Sequence, residues 1–181
     1  MARLDFQVIA TTLLGAVNQA VNGFLHVHSD QEPTVVPRPL LAEDKWYVSS
    51  FGEFYDSSYI SVIYFYRNSK DREANRFCGV FVLYLKEALA PNLIKAFGYK
   101  DTAETNNEVV ADITAELANN IAGVFKKDLS GLGYPELEIS APMKFKGSAG
   151  WLSYPKNEKQ YYRVTAFVWG QKFALDVMVA I

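Results

Sequence analysis

The chain has 181 residues, half of them hydrophobic and 14 % aromatic, enough apolar material to bury a sizeable core without disulfides. A formal charge of −2 and the lack of any basic run argue against a nucleic-acid footprint. A single cysteine, Cys78, rules out an internal disulfide framework and fits a reducing compartment, with the cytoplasm as the default.

The opening MARLDFQVIATTLLGAV has an apolar middle behind one arginine, as a signal peptide does, but Asp5, Gln7, Thr11 and Thr12 interrupt it. Phe6, Ile9, Leu13, Val17, Val21 and Phe24 recur at helical spacing and predict a first amphipathic helix over about Leu4 to Leu25. No segment has the uninterrupted apolar length needed to span a bilayer. The segment His28 to Asp44 carries three prolines and reads as a long surface connection. KWYVSSFGEFY, YISVIYFYR and RFCGVFVLYL, rich in aromatic and β-branched residues and separated by polar turns, predict an antiparallel meander. The third is apolar on both faces, with Phe77, Phe81 and Leu83 on one and Cys78, Val80 and Val82 on the other, so it is expected at the centre of a sheet.

KEALAPNLIKAFGYK predicts a short helix stopped at Gly98. Thr105 and Glu108 are spaced as a capping box for a second long helix that runs to about Ser130, with Lys126 and Lys127 near its negative end and Gly131 as its left-handed stop. ELEISAPMKFKG, KQYYRVTAFVWG and QKFALDVMVAI read as strands, the last reaching Ile181. The expected fold class is therefore α+β: a largely antiparallel sheet with two long helices and one short helix packed on it, as a single domain over residues 1–181.

On a helical wheel Val110, Ile113, Leu117, Ile121 and Val124 face the sheet, while Asp112, Ala115, Glu116, Asn119, Gly123 and Lys126 face away. Glu116 and Asn119, three residues apart, point outward over the same turn beside small residues, so a partner can come close. Asn120 lies near the edge of the buried face. From Asp112 the pattern runs D-x3-E-x2-N, and Pro142 follows Asn119 after 22 intervening residues. An acid or serine, a Glu, an Asn and a Pro in that register arise by chance in on the order of one chain in several hundred.

That register resembles the one carried by the CheC, CheX and FliY family of chemotaxis phosphatases. ELANNIAG resembles the family's active-site helix, APMKFKG its proline-led strand, and RFCGVFVLYLKEALA the strand and helix before it, over roughly residues 76–150. The resemblance implies a CheX-like fold, a homodimer, and a substrate: the phosphorylated CheY-like receiver domain of a response regulator, whose aspartyl phosphate is hydrolysed. It implies that Glu116 docks on the lysine at the receiver's phosphorylation site and that Asn119 orients the attacking water. Asp112 and Pro142 would support the pair. No cofactor or metal is expected on this chain, the Mg²⁺ belonging to the receiver. Gln19 and Asn22 on the first helix repeat the Glu116–Asn119 spacing without a full motif, which favours the one-site CheX type.

Other candidates carry less chemistry. His26 and His28, with Asp30 nearby, lack an identifiable third metal ligand. Cys78 sits in an apolar strand and reads as a buried small hydrophobe, and GSAG at 147–150 reads as a hairpin connection rather than a phosphate loop. Two other classes of function stay open: a receiver-binding or scaffold module with the same fold that hydrolyses nothing, and a structural dimer that buries the helix face.

Overall fold

A computed structural model describes residues 5–40, 45–50, 54, 56–99, 107–155 and 158–180. In chain order these form α1 (Phe6–Gly23), β1 (Gln31–Pro39), β2 (Lys45–Ser49), β3 (Ser58–Tyr66), α2 (Ser69–Glu73), β4 (Gly79–Lys86), α3 (Ala90–Ala96) and α4 (Asn107–Gly131). Then follow β5 (Glu138–Ile139), β6 (Met143–Lys146), β7 (Ser148–Ser153), β8 (Gln160–Val168) and β9 (Gln171–Val179). Seven strands make one antiparallel sheet in the order β1-β8-β9-β4-β3, with β5 and β6 both paired to the far side of β3. The α+β class is as the sequence predicts.

The two faces of this sheet are both covered, by different things. Tyr59, Ile63, Phe65, Phe81, Leu83, Leu175 and Val177 meet the buried stripes of α1 and α4 in the larger core. On the reverse, Ile60, Val62, Val80, Val82, Tyr84 and Met178 pack with Trp46, Val48, Leu152 and Tyr154, from a two-stranded ribbon of β2 and β7 and the end of β7. Because β4 and β9 are inner strands buried on both faces, period-two alternation is absent from them. The two-faced apolarity of RFCGVFVLYL did mark β4 as central. Phe77 and Cys78, however, take the faces opposite to those expected, because the strand proper begins only at Gly79: Phe77 packs on Tyr64, and Cys78 joins the helix-side core.

Several expectations are corrected. The proline-bearing connection contains β1, which pairs with β8 from Thr34↔Thr165 to Pro39↔Gln160. An edge strand needs only alternate N–H groups, and Pro37 and Pro39, two apart, lose theirs on the same side; Pro33 sits where the register slips. The first member of the supposed meander, β2, lies on the reverse ribbon beside β7, since Trp46 and Val48 alternate equally well over any apolar surface. GSAG is no simple turn: Gly147 makes the turn at φ +78°, and Ser148–Gly150 already belong to β7, with Gly150 left-handed at a register slip.

Gly98 does stop α3, at φ +73°. Gly131 is still helical, and Gly133, at φ +87°, supplies the left-handed residue after α4, with the Tyr134 N–H returning to the Leu129 carbonyl. The helix thus outruns Lys126 and Lys127, which lie before its last turn. Leu4, Thr105 and Ile181 lie outside the described residues. Asp5 caps α1 through the Gln7 N–H.

Candidate functional site

The predicted residues converge on α4 and the strand edge beside it. Helix α4 is amphipathic, but its buried arc is wider than a single-surface wheel suggests. It rests on the sheet, against α1 and, along one shoulder, against β5 and β6, so that Ala118, Ala122, Phe125 and Leu129 are buried and Ala115 with them, while Val124 is only half-buried. Ala115 therefore leaves the outward face. Asp112 and Glu116 remain exposed, and Asn119 and Asn120 are half-buried on opposite shoulders of the helix.

Asp112, Asn119 and Lys126, seven residues apart, form one stripe along the shoulder that faces β5 and β6. Its two ends are tied down. Lys144 on β6 makes an ion pair with Asp112, and the Lys126 ammonium donates to the Leu137 carbonyl at 3.3 Å. Nearer the helix start, Lys146 donates to the Asn107 side-chain oxygen at 2.9 Å and to Glu87 at 2.7 Å, and the Tyr59 hydroxyl donates to the same Asn107 oxygen at 2.7 Å. Lys144 and Lys146, two apart on β6, thus both reach to the helix side. The proton of each is held above the usual lysine range, chiefly by its hydrogen bond to Asp112 or Glu87.

The middle of the stripe is different. The side chains of Asn119, Glu116 and Asn120 make no hydrogen bond or ion pair among the described residues. Opposite them the strand is broken. The segment predicted as one strand is two, β5 and β6, separated by Ser140, Ala141 and Pro142. Phe65 pairs with Ile139 and Val62 with Met143, so Ile63 and Tyr64 face three residues, a bulge of one. Pro142 has no N–H to give to β3. Ser140 closes the gap: its N–H donates to the Tyr64 carbonyl at 2.9 Å, its hydroxyl accepts the Tyr64 N–H at 3.0 Å, and the same hydroxyl donates to the Ala141 carbonyl at 2.9 Å.

The two ties fix where the break falls along the helix. From Asp112 to Lys126 α4 rises about 21 Å at about 1.5 Å per residue, while Lys144 to Leu137 spans about 23 Å at about 3.3 Å per residue. Two helical residues pass for each strand residue, which sets Glu116 to Asn119 level with Ser140 to Pro142. Asp112 is thus tied to the strand, and Glu116 and Asn119 stand at the level of Pro142. Sequence reasoning missed Lys144 and Ser140. The first belongs to an ordinary-looking alternation, and the second gives no signal until the register is known.

The remaining candidates lie elsewhere. His26 and His28 follow α1; His26 adopts φ +55°, and the His28 ring nitrogen Nδ1 is 3.1 Å from the Asn22 side-chain oxygen. Asn22 is thereby engaged, unlike Asn119. Cys78 is buried, and burial pushes its thiol up to about 11. Among the described residues no three His, Cys, Asp or Glu side chains gather as a metal site, and no helix is long and apolar enough to cross a membrane.

The antiparallel sheet carrying two long helices is a fold shared with solved chemotaxis proteins. The structure resembles that of a chemotaxis protein CheX from Desulfovibrio desulfuricans, with a TM-score of 0.67 and 13 % identity over 95 % of this chain and 99 % of that one. It also resembles CheX in a CheX–CheY–BeF3–Mg²⁺ complex from Borrelia burgdorferi, with a TM-score of 0.57 and 14 % identity over 99 % of this chain and all of that one. A third relative in fold is FliY from Thermotoga maritima, with a TM-score of 0.56 and 14 % identity over 99 % of this chain and 93 % of that one. No curated protein sequence matches significantly. The sequence profile of the family "Chemotaxis phosphatase CheX" matches residues 74–164, which include β4, α4 and the broken strand, and the chain belongs to that family.

Proposed function

We propose that this protein hydrolyses the aspartyl phosphate of a CheY-like receiver domain, with α4 laid against the receiver's phosphorylation pocket. Family membership and the fold shared with the CheX of a CheX–CheY–BeF3–Mg²⁺ complex support the reading. The observation that carries it is the unengaged pair, Glu116 and Asn119, set level with the break in the β5–β6 edge. An acid and an amide without partners among the described residues are both free to meet another molecule.

The chemistry asks little of this chain. The receiver brings the phosphoryl group and Mg²⁺, which neutralises charge on the phosphoryl oxygens. Water attacks phosphorus in line, a bond from water oxygen to phosphorus forms, and the bond to the aspartyl oxygen breaks, giving inorganic phosphate and the receiver's free carboxylate. The Asn119 amide offers both a donor NH2 and an acceptor carbonyl and so can hold water in the attacking orientation. Glu116 accepts a charge-assisted hydrogen bond from the receiver's lysine and sets the amide over the phosphorus. Pro142 shapes the broken edge beside them. Two copies of the chain work as a homodimer in the cytoplasm.

The test is the lifetime of receiver phosphate with and without the protein. Asn119→Ala should lower the catalysed rate on the order of 100-fold with binding retained, and Glu116→Gln should weaken the receiver complex by about tenfold. Receiver binding by the wild type with an unchanged phosphate lifetime would instead identify a non-catalytic docking module.

A further inference from the structure

Asp112 and Glu116 stand one turn apart on α4, both exposed to solvent. They differ in one respect. Asp112 is paired with Lys144 of β6, whereas Glu116 has no partner among the described residues. To an approaching cation the two carboxylates are chemically alike and lie about 6 Å apart along the helix. Docking on the wrong one would carry the Asn119 amide a full turn away from the phosphorus, far beyond the misplacement of about 1 Å that already costs an enzyme much of its rate. Glu108, one turn earlier again, adds its negative charge to the surroundings of Lys144 and makes the Asp112 position the more attractive to a stray cation.

We propose that Lys144 is a positioning residue that sets docking register: by occupying Asp112 it leaves Glu116 as the open carboxylate for the receiver's lysine. The inference rests on the phosphatase reading above and deepens it. An exposed ion pair of this kind adds little to folding. Register is therefore the property that its loss should disturb.

The experiment is steady-state dephosphorylation of a CheY-type receiver loaded from a small phosphodonor, with thermal unfolding as the control on the fold. Lys144→Gln should lower kcat and KM together, by about twofold or more, and leave kcat/KM unchanged, as when an unproductive docking mode competes with the productive one. Adding Asp112→Asn to Lys144→Gln removes the competing carboxylate and should raise kcat and KM by one common factor above the Lys144→Gln values. Lys144→Arg should behave as the wild type. A fall in kcat/KM that the second substitution does not repair would make Lys144 a mere tether and overturn the proposal, as would two unchanged constants. Wild-type protein without effect on the receiver, or Glu116→Gln indistinguishable from wild type, would remove the docking reading and this proposal with it. Loss at Glu116→Gln beside a normal Lys144→Gln would remove the register role alone.

Discussion

Ser140 shows how much of the site depends on one hydroxyl. Where Pro142 interrupts the ladder, that hydroxyl replaces a backbone acceptor for the Tyr64 N–H and donates its own hydrogen bond to the Ala141 carbonyl. Ser140→Ala would leave the Tyr64 N–H without its partner in a half-buried place and should cost about 1–2 kcal/mol. Urea denaturation reads this directly, and Ser140→Thr, which keeps the oxygen, should recover most of the loss. A midpoint unchanged by Ser140→Ala would mean that the bulge closes by other means. Gly79 is a single-residue constraint of another kind. A Cβ there would sit 2.6 Å from a Val179 methyl and 2.7 Å from the Met178 carbonyl, so the close approach of β4 and β9 requires glycine.

At the scale of elements, α4 is a helix whose outward side is kept clear. Gly123, seven residues beyond Glu116 and four beyond Asn119, has open space where a Cβ would go. Packing within the chain therefore does not require glycine there, and the helix carries the usual cost of one. Gly123→Ala should raise stability by about 0.5–1 kcal/mol. Gly123→Leu should fold as well but impede the receiver, seen as a higher KM at an undiminished melting temperature; an unaltered KM would place the receiver elsewhere. The existence of α4 and the exposure of Glu116 were legible because twenty-five residues of periodic sequence fix a helix and its phase closely, whereas Asn119 lies half-buried on the shoulder toward β5 and β6. What escaped was whatever depends on a partner element. The approach of β5 and β6 to one shoulder of the helix swings the buried arc to take in Ala115. The break between β5 and β6 shows only in the offset between Ile139 and Met143 against β3. Likewise β1 was obscured by prolines that an edge strand tolerates, and β2 gave no sign of which sheet it would join.

At the scale of the whole molecule, several groups in the two cores and along β6 shift their protonation in the same direction. Between the sheet and the reverse ribbon lies a buried fork, Arg163 with Asp176, directly paired on β8 and β9, with the guanidinium 5.5 Å from the Tyr84 ring centroid and 5.7 Å from that of Tyr161. Breaking such a pair from one side is costly because the remaining charge stays buried. Burial raises the Tyr84 hydroxyl well above the ordinary tyrosine range, and it also raises Tyr59 and Tyr64. The Cys78 thiol goes up to about 11 for the same reason, and hydrogen bonds to carboxylates hold the protons of Lys144, Lys146 and Arg163 more tightly. In each case the folded chain binds the proton more strongly than the unfolded one. The resulting stability is complete below the unfolded pKa values and is lost as pH rises through the folded ones. The window opens near pH 9, the ordinary value for the thiol, and widens above pH 10, the ordinary value for the phenols. Urea midpoints should therefore fall between pH 9 and 11, and Cys78→Ala should delay the onset of the decline toward pH 10 whatever it costs in packing. A midpoint that holds level or rises over that interval would mean that these groups meet solvent in the folded protein, and the two-layered core would then have to be more open around Tyr84 than its complete coverage by the ribbon implies.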